Sequence, residues 1–173
     1  MPAWSSVLDS AGNGFTVRTT MVIQSSPDKV YEGLTSIGEW WSKNHTFSGD
    51  SSNLILDLNP DQYYGCFCER MNGKGFARHM EVVYIAPGEK LVMRGGLGPL
   101  QSMATTGSMT ISLTAFGTND VSGTNTKLEV TYAVSGYLPA GLQSLAAPVD
   151  TVITEQFIRL KQFIESGSPE PKQ

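Results

Sequence analysis

Charge is scarce in this chain. Of its 173 residues only 16% are Asp, Glu, Lys or Arg, and the formal net charge is −4. No cluster of Lys or Arg interrupts that mild acidity, which argues against a basic nucleic-acid-binding surface. Long apolar runs are missing too: although 40% of the residues are hydrophobic, none of the runs approaches the roughly 20 residues that a membrane-spanning helix needs. The opening residues, Met1-Pro-Ala-Trp-Ser-Ser-Val, contain neither the basic nor the apolar region of a signal peptide. A soluble globular domain is expected, about one by length and large enough to bury a substantial core.

Cysteine and histidine are almost as rare, with two of each. Both cysteines fall in Cys66-Phe67-Cys68, followed at once by Glu69, with His45 and His79 on either side in sequence. On a strand, side chains alternate between faces, so Cys66 and Cys68 share one face and Phe67 and Glu69 the other. A disulfide between residues two apart is geometrically strained, so two free thiols are expected. Neither Ser48 nor Ser108 has the Gly-x-Ser-x-Gly setting of a serine hydrolase. The stretch Gly95-Gly96-Leu97-Gly98-Pro99 lacks the Lys-Ser/Thr of a phosphate loop and opens no helix. It reads as a mobile loop, with Leu97, Leu100 and Met103 making it a hydrophobic lid.

What is present is a clear succession of elements, with no internal repeat and no interdomain linker. Phe15 to Gln24 alternates as a strand, and Ser25-Ser26-Pro27-Asp28 then carries a helix-start signature. A first helix with Val30, Tyr31 and Leu34 on its apolar side and a second from Ile37 to Trp41 follow. Strands are predicted around Leu54–Leu58, Tyr64–Met71, Phe76–Ile85, Lys90–Arg94, Ser108–Ala115 and Lys127–Val134. Asn59-Pro60-Asp61 and Asn72-Gly73-Lys74-Gly75 supply turns, and the polar segment Gly117 to Asn125 connects the last two strands. Val149, Val152, Ile153, Gln156, Leu160 and Ile164 recur at helical spacing, with Pro148 as the first residue of a long final helix. Leu138 to Ala147 reads as a short helical approach that breaks before Pro148. The resulting fold class is α+β, with a curved antiparallel sheet of six to seven strands wrapped around the C-terminal helix. Residues 1–14 are an N-terminal extension, 15–166 the domain, and 167–173 a disordered tail.

Ser26-Pro27-Asp28-Lys29-Val30-Tyr31, Gly38-Glu39-Trp40-Trp41 and Tyr84-Ile85-Ala86-Pro87-Gly88-Glu89-Lys90-Leu91 give the chain a family look. Over residues 15–165 it resembles the START-like (SRPBCC, helix-grip, birch-pollen-allergen-like) superfamily, and within it the branch of polyketide cyclases and heat-shock ATPase activators. His45-Thr46-Phe47-Ser48-Gly49-Asp50, Cys66-Phe67-Cys68-Glu69 and Gly98-Pro99-Leu100-Gln101 resemble an uncharacterised bacterial subgroup. The resemblance implies a deep apolar cavity between sheet and last helix that takes a small hydrophobic ligand, lipid-, aromatic- or polyketide-like. It implies no cofactor. Relatives in the subgroup carry leaders, which implies the periplasm if a leader has been removed here and the cytoplasm otherwise.

In the resemblance Phe67 turns toward the cavity; by parity Glu69 joins it and both cysteines face outward. Parity on the partner strand sets His79, Glu81, Val83 and Ile85 against Met80, Val82 and Tyr84, and the family's turn at Ile85-Ala86-Pro87 favours the His79 set as inward-facing. Glu69 and His79 then form a candidate acid/base pair, set against the more common reading of a hydrogen-bonded pair that satisfies two buried polar groups. Trp41, Phe67, Met93, Leu100 and Met109 are candidate cavity walls with the inner face of the last helix, His45 reaches the mouth, and Tyr137 is a candidate for orienting a polar end of the ligand. A two-His-one-carboxylate metal set of His45, His79 and Glu69 lacks the short His spacing that would recommend it, and no metal is assigned. Three functional classes follow: a carrier of a hydrophobic small molecule, a cyclase- or hydrolase-like enzyme using His79 and Glu69, and, less well supported by the sparse surface charge, a domain that engages a chaperone ATPase.

Overall fold

Alternation of apolar and polar residues builds the middle of the sheet. In the computed structural model, which describes residues 3–59, 61, 63–117 and 124–170, eight strands form one antiparallel sheet in the order β1-β2-β8-β7-β6-β5-β4-β3. The strands are β1 Trp4–Ala11, β2 Gly14–Ile23, β3 Leu54–Leu56, β4 Cys66–Arg70, β5 Phe76–Ala86, β6 Lys90–Arg94, β7 Ala104–Phe116 and β8 Asn125–Tyr137. The inward sets that alternation predicts are buried, Phe15, Val17, Thr19, Met21 and Ile23 of β2, Met109, Ile111 and Leu113 of β7, and Leu128, Val130, Tyr132 and Val134 of β8, except for Ala115 near the end of β7, which is exposed. Pro60, residues 118–123 of the polar connection and residues 171–173 of the tail lie outside the described residues.

Three helices cover that apolar face: α1 Pro27–Thr35, α2 Ile37–Trp40 and α3 Ala146–Ser166. Ser26 caps α1, its hydroxyl accepting from the Lys29 N–H, and Pro27 occupies the first turn where its missing N–H has no partner to lose. The long α3 lays Ile153, Gln156, Phe157 and Leu160 into the core. It starts two residues earlier than the sequence predicts. Pro148 sits in the first turn, where no intrahelical N–H is required, so no break falls at Ala147. Polar ties fix the helix on the sheet and on α2: Lys161 Nζ donates to the Val22 carbonyl at 2.7 Å, and Arg159 Nε donates to the Trp40 carbonyl at 2.8 Å. This is the helix-grip arrangement expected, a curved sheet holding one long helix.

The sheet has one strand more than predicted because residues 4–11 are not a free extension. They pair with β2 from Trp4↔Thr20 to Ala11↔Gly14. Trp4, Val7 and Leu8 are exposed, so no apolar stripe announces this edge strand. At the other end, residues 167–170 are held to α3 rather than loose, since Glu170 pairs with Arg159 at 2.5 Å and the Ser166 hydroxyl donates to the Ser168 carbonyl.

Candidate functional site

The site begins with an irregularity. Between β4 and β5, Phe67 faces Met80 and Cys68 faces Arg78, which leaves His79 as an extra residue on β5. Both His79 and Met80 therefore turn inward and are buried, whereas Glu81 and Val83 are exposed. The parity that groups Glu81 and Val83 with an inward His79 is corrected by this bulge and by a second register shift between Val82 and Tyr84. Gly95, at the end of β6, makes the first bulge possible: a Cβ there would stand 2.2 Å from the His79 carbonyl oxygen.

Opposite the bulge, β4 turns Phe67 and Glu69 inward. Glu69 is fully buried. Its carboxylate accepts from the Phe47 N–H at 3.0 Å and from the Ser48 N–H at 2.5 Å, and meets His79 Nε2 at 2.9 Å. Burial alone would raise the Glu69 pKa, but the hydrogen bonds from Ser48, Phe47 and His79 prevail and hold it below the usual 4.5. For His79 burial dominates and pushes the imidazole below the usual 6.5, against the opposing pull of Glu69. A carboxylate can only accept. Nε2 therefore carries a proton toward Glu69, and burial favours the neutral imidazole, in which Nδ1 is an acceptor.

Two rings pack on the imidazole, Phe47 stacked at 5.4 Å and Phe67 tilted at 4.9 Å. It forms part of the wall of a cavity of about 410 Å³. Trp41 and Phe67 line one side; Leu97, Gly98, Pro99 and Leu100 another; Pro148, Val149, Val152 and Ile153 of α3 a third; and Asn44, His45, Thr46 and Phe47 the remainder. Tyr132 reaches the cavity from β8, its ring occupying the space that a Cβ on Gly107 would fill. Its hydroxyl donates to the Gly95 carbonyl at 3.0 Å and accepts from the Leu97 N–H at 3.3 Å. Burial pushes that phenol up to about 12, the Leu97 N–H drawing the other way.

Each residue predicted from sequence now has a place. Trp41, Phe67, Leu100, His45 and His79 line the cavity. The Trp41 indole N–H donates to the His45 carbonyl at 3.0 Å, and His45 Nε2 stands 3.7 Å from Glu155, both side chains partly exposed. Glu69 lies behind His79 and is not part of the wall. Met93 and Met109 are buried one layer deeper, around a void of about 10 Å³ beside Trp41 and Phe67. Tyr137 is 70% exposed and outside the cavity, because alternation along β8 puts Tyr132 and Val134 inward and Tyr137 outward. The segment read as a mobile lid is a 3-10 turn, Gly98–Ser102, fastened by the Thr105 hydroxyl on the Leu100 carbonyl and by Gln101 on the Arg78 carbonyl. Among the described residues no group of three His, Cys, Asp or Glu is placed to hold a metal ion.

Both cysteines face outward, but they are not thiols: Cys66 and Cys68 form a disulfide. The correction has a geometric reason. Their Cα atoms are 5.5 Å apart, inside disulfide range and shorter than the roughly 6.6 Å of two residues of flat strand; β4 is compressed where its register slips. Sequence reasoning missed Phe47 and Tyr132. Tyr132 carried a signal, since a phenol within an otherwise aliphatic inward set must find a partner for its hydroxyl. Phe47 carried none, being placed by the contact of its own N–H with a carboxylate 22 residues away.

No family model matches the chain, and no curated protein matches it in sequence. Its fold recurs among solved structures. A conserved protein of unknown function from Enterococcus faecalis superposes with a TM-score of 0.60 at 14% identity, over 98% of this chain and 82% of that one. CalU16 from Micromonospora echinospora gives 0.52 at 13% identity, over 98% and 85%. The di-domain ARO/CYC StfQ from the steffimycin biosynthetic pathway gives 0.54 at 11% identity, over 90% of this chain and 52% of that one. At these identities the likeness establishes the fold.

Proposed function

We propose that the chain binds a small hydrophobic molecule, lipid-, aromatic- or polyketide-like, in the cavity between the sheet and α3. The observation that carries this reading is the wall itself. Trp41, Phe47, Phe67, Leu97, Leu100, Val149, Val152 and Ile153 enclose about 410 Å³, and no Asp, Glu, Lys or Arg stands among the lining residues. That volume falls in the ~300–1,000 Å³ range of small-molecule sites, which combine apolar walls with a few placed polar groups. A solved neighbour of the same fold is an ARO/CYC of a biosynthetic pathway, which fits an aromatic or polyketide-like occupant. Native mass spectrometry of the purified chain tests the reading. A retained small apolar molecule, or uptake of one naphthalene per chain, is expected; a chain that takes up neither would contradict it.

The His79–Glu69 pair supports a second reading, a cyclase- or hydrolase-like enzyme. In it His79 is the acid/base group at the cavity, and Glu69, behind it, is a positioning residue that fixes the imidazole's tautomer and angle. Turnover of an aromatic ester or polyketide-like substrate, lost in His79→Ala with the fold intact and with an altered pH profile in Glu69→Gln, would establish this. Binding without turnover over a broad substrate panel would leave carriage alone.

A further inference from the structure

Of the polar side chains on the cavity wall, Asn44, His45 and Thr46 are exposed or half-buried, and only His79 and Tyr132 are buried. Glu69 is held ionised by two backbone N–H groups, so His79 Nε2 donates to it and Nδ1 is left as a lone pair. Nδ1 has no hydrogen-bond partner among the described residues. It is also absent from the sealed-off polar atoms without partners, which are Tyr31 Oη, Asp150 Oδ1 and Gln156 Nε2, and its ring lines the cavity. Rotation of the ring is hindered by the Phe47 and Phe67 rings packed on it. The other polar side chain deep in the wall, Tyr132, has its hydroxyl fully engaged with Gly95 and Leu97.

From this geometry we infer that the ligand presents a neutral hydrogen-bond donor, the O–H of a phenol or alcohol or an N–H, to Nδ1 of His79, with the rest of its surface apolar. The inference rests on the cavity being the ligand site and adds the chemical class of the ligand. A carboxylate or a bare ketone would bring a second lone pair against Nδ1, and a plain hydrocarbon would displace whatever water serves it without replacing the bond. Burial favours the neutral imidazole, so Nδ1 stays an acceptor near neutral pH.

Three probes of nearly equal shape separate the possibilities: 2-naphthol, 2-methoxynaphthalene and naphthalene, with indole as the N–H arm. Calorimetric titration of the full chain should give 2-naphthol and indole about tenfold tighter binding than their partners without a donor, the worth of one net hydrogen bond. In His79→Phe that preference should vanish while naphthalene still binds. Because this variant also strips Glu69 of a partner, the wild-type chain supplies a second readout. Nitrogen-15 NMR of its two histidines should show His79 protonated at Nε2, bare at Nδ1, and shifted at Nδ1 when 2-naphthol binds. Equal affinities for all four probes, or a proton resident on Nδ1, would overturn the inference and leave the cavity reading standing. Failure of every probe to bind would overturn both.

Discussion

Residues 44–47 and residues 97–100 both wall the cavity, and they are held by different kinds of group. The first segment hangs on a carboxylate: Glu69 takes the Phe47 and Ser48 amides and pairs with His79, and Phe47 stacks on the His79 ring. The second hangs on neutral donors and acceptors, the Tyr132 hydroxyl at Gly95 and Leu97 and the Thr105 hydroxyl at Leu100. One wall of the cavity should therefore respond to acid, and the other should not. Cutting or titrating each tether should loosen its own segment and leave the other in place.

The largest effect is expected from Glu69→Ala. It strands two backbone N–H groups and His79 Nε2 in a buried site, each unsatisfied group costing on the order of 1–3 kcal/mol. Urea unfolding should show a loss of several kcal/mol, and hydrogen exchange should speed up at Phe47 and Ser48 with Leu97 unchanged. Equal acceleration at Leu97 would mean that the two segments form one unit. Tyr132→Phe is the reciprocal cut and should cost less, about 1–2 kcal/mol, with Leu97 rather than Phe47 losing protection. A variant in which both amides exchange faster would again merge the segments.

Acid is the milder perturbation. His79 and Glu69 both have folded pKa values lowered from 6.5 and 4.5. In each case the unfolded chain takes up its proton first. The stability each contributes is therefore full above the ordinary value and is lost as the pH falls through the folded one. Protection from exchange at Phe47 and Ser48, taken relative to the intrinsic amide rate at each pH, should begin to fall below about pH 6.5 and fall more steeply below about pH 4.5. Leu97 should not respond over that span, since the Tyr132 phenol titrates only at about 12. A flat profile at Phe47 would show that the carboxylate is not what holds it. Reduction of the Cys66–Cys68 disulfide should have the smallest effect, below about 2 kcal/mol, because stabilisation falls as the closed loop shortens and this one spans two residues. Any change should reach residues 44–47 through Phe67 and Glu69 on the other face of β4, and a thermal melt in dithiothreitol with exchange at Ser48 would register it.

How far the sequence reveals this arrangement differs between the walls for a physical reason. The strands that hold the 97–100 segment, β7 and β8, alternate through Leu113 and Val134, so most of their inward residues could be read off by period. Only the role of the Tyr132 hydroxyl, which depends on Gly107 and Gly95 lying nearby, escaped. Around His79 the period itself fails, since a bulge adds one residue to β5 and no Pro or turn motif marks it. The pairing of Glu69 with His79 was legible because β4 alternates up to that point. That Glu69 would be taken up by the Phe47 and Ser48 amides was not, because backbone N–H groups leave no trace in side-chain pattern. The same holds for β1, whose place in the sheet comes from pairing with β2 and not from an apolar face.

The claim beneath all of this is that the space against α3 is a ligand site. Val152 lines it, while Thr151, one residue earlier on the helix, is exposed. Titration of the wild-type chain and of Val152→Trp and Thr151→Trp with 2-naphthol, with circular dichroism to confirm the fold, tests it directly. Saturable one-to-one binding in the wild type and in Thr151→Trp, abolished in a folded Val152→Trp, is the predicted result. Binding that survives unchanged in Val152→Trp, or that never saturates in the wild type, would contradict it.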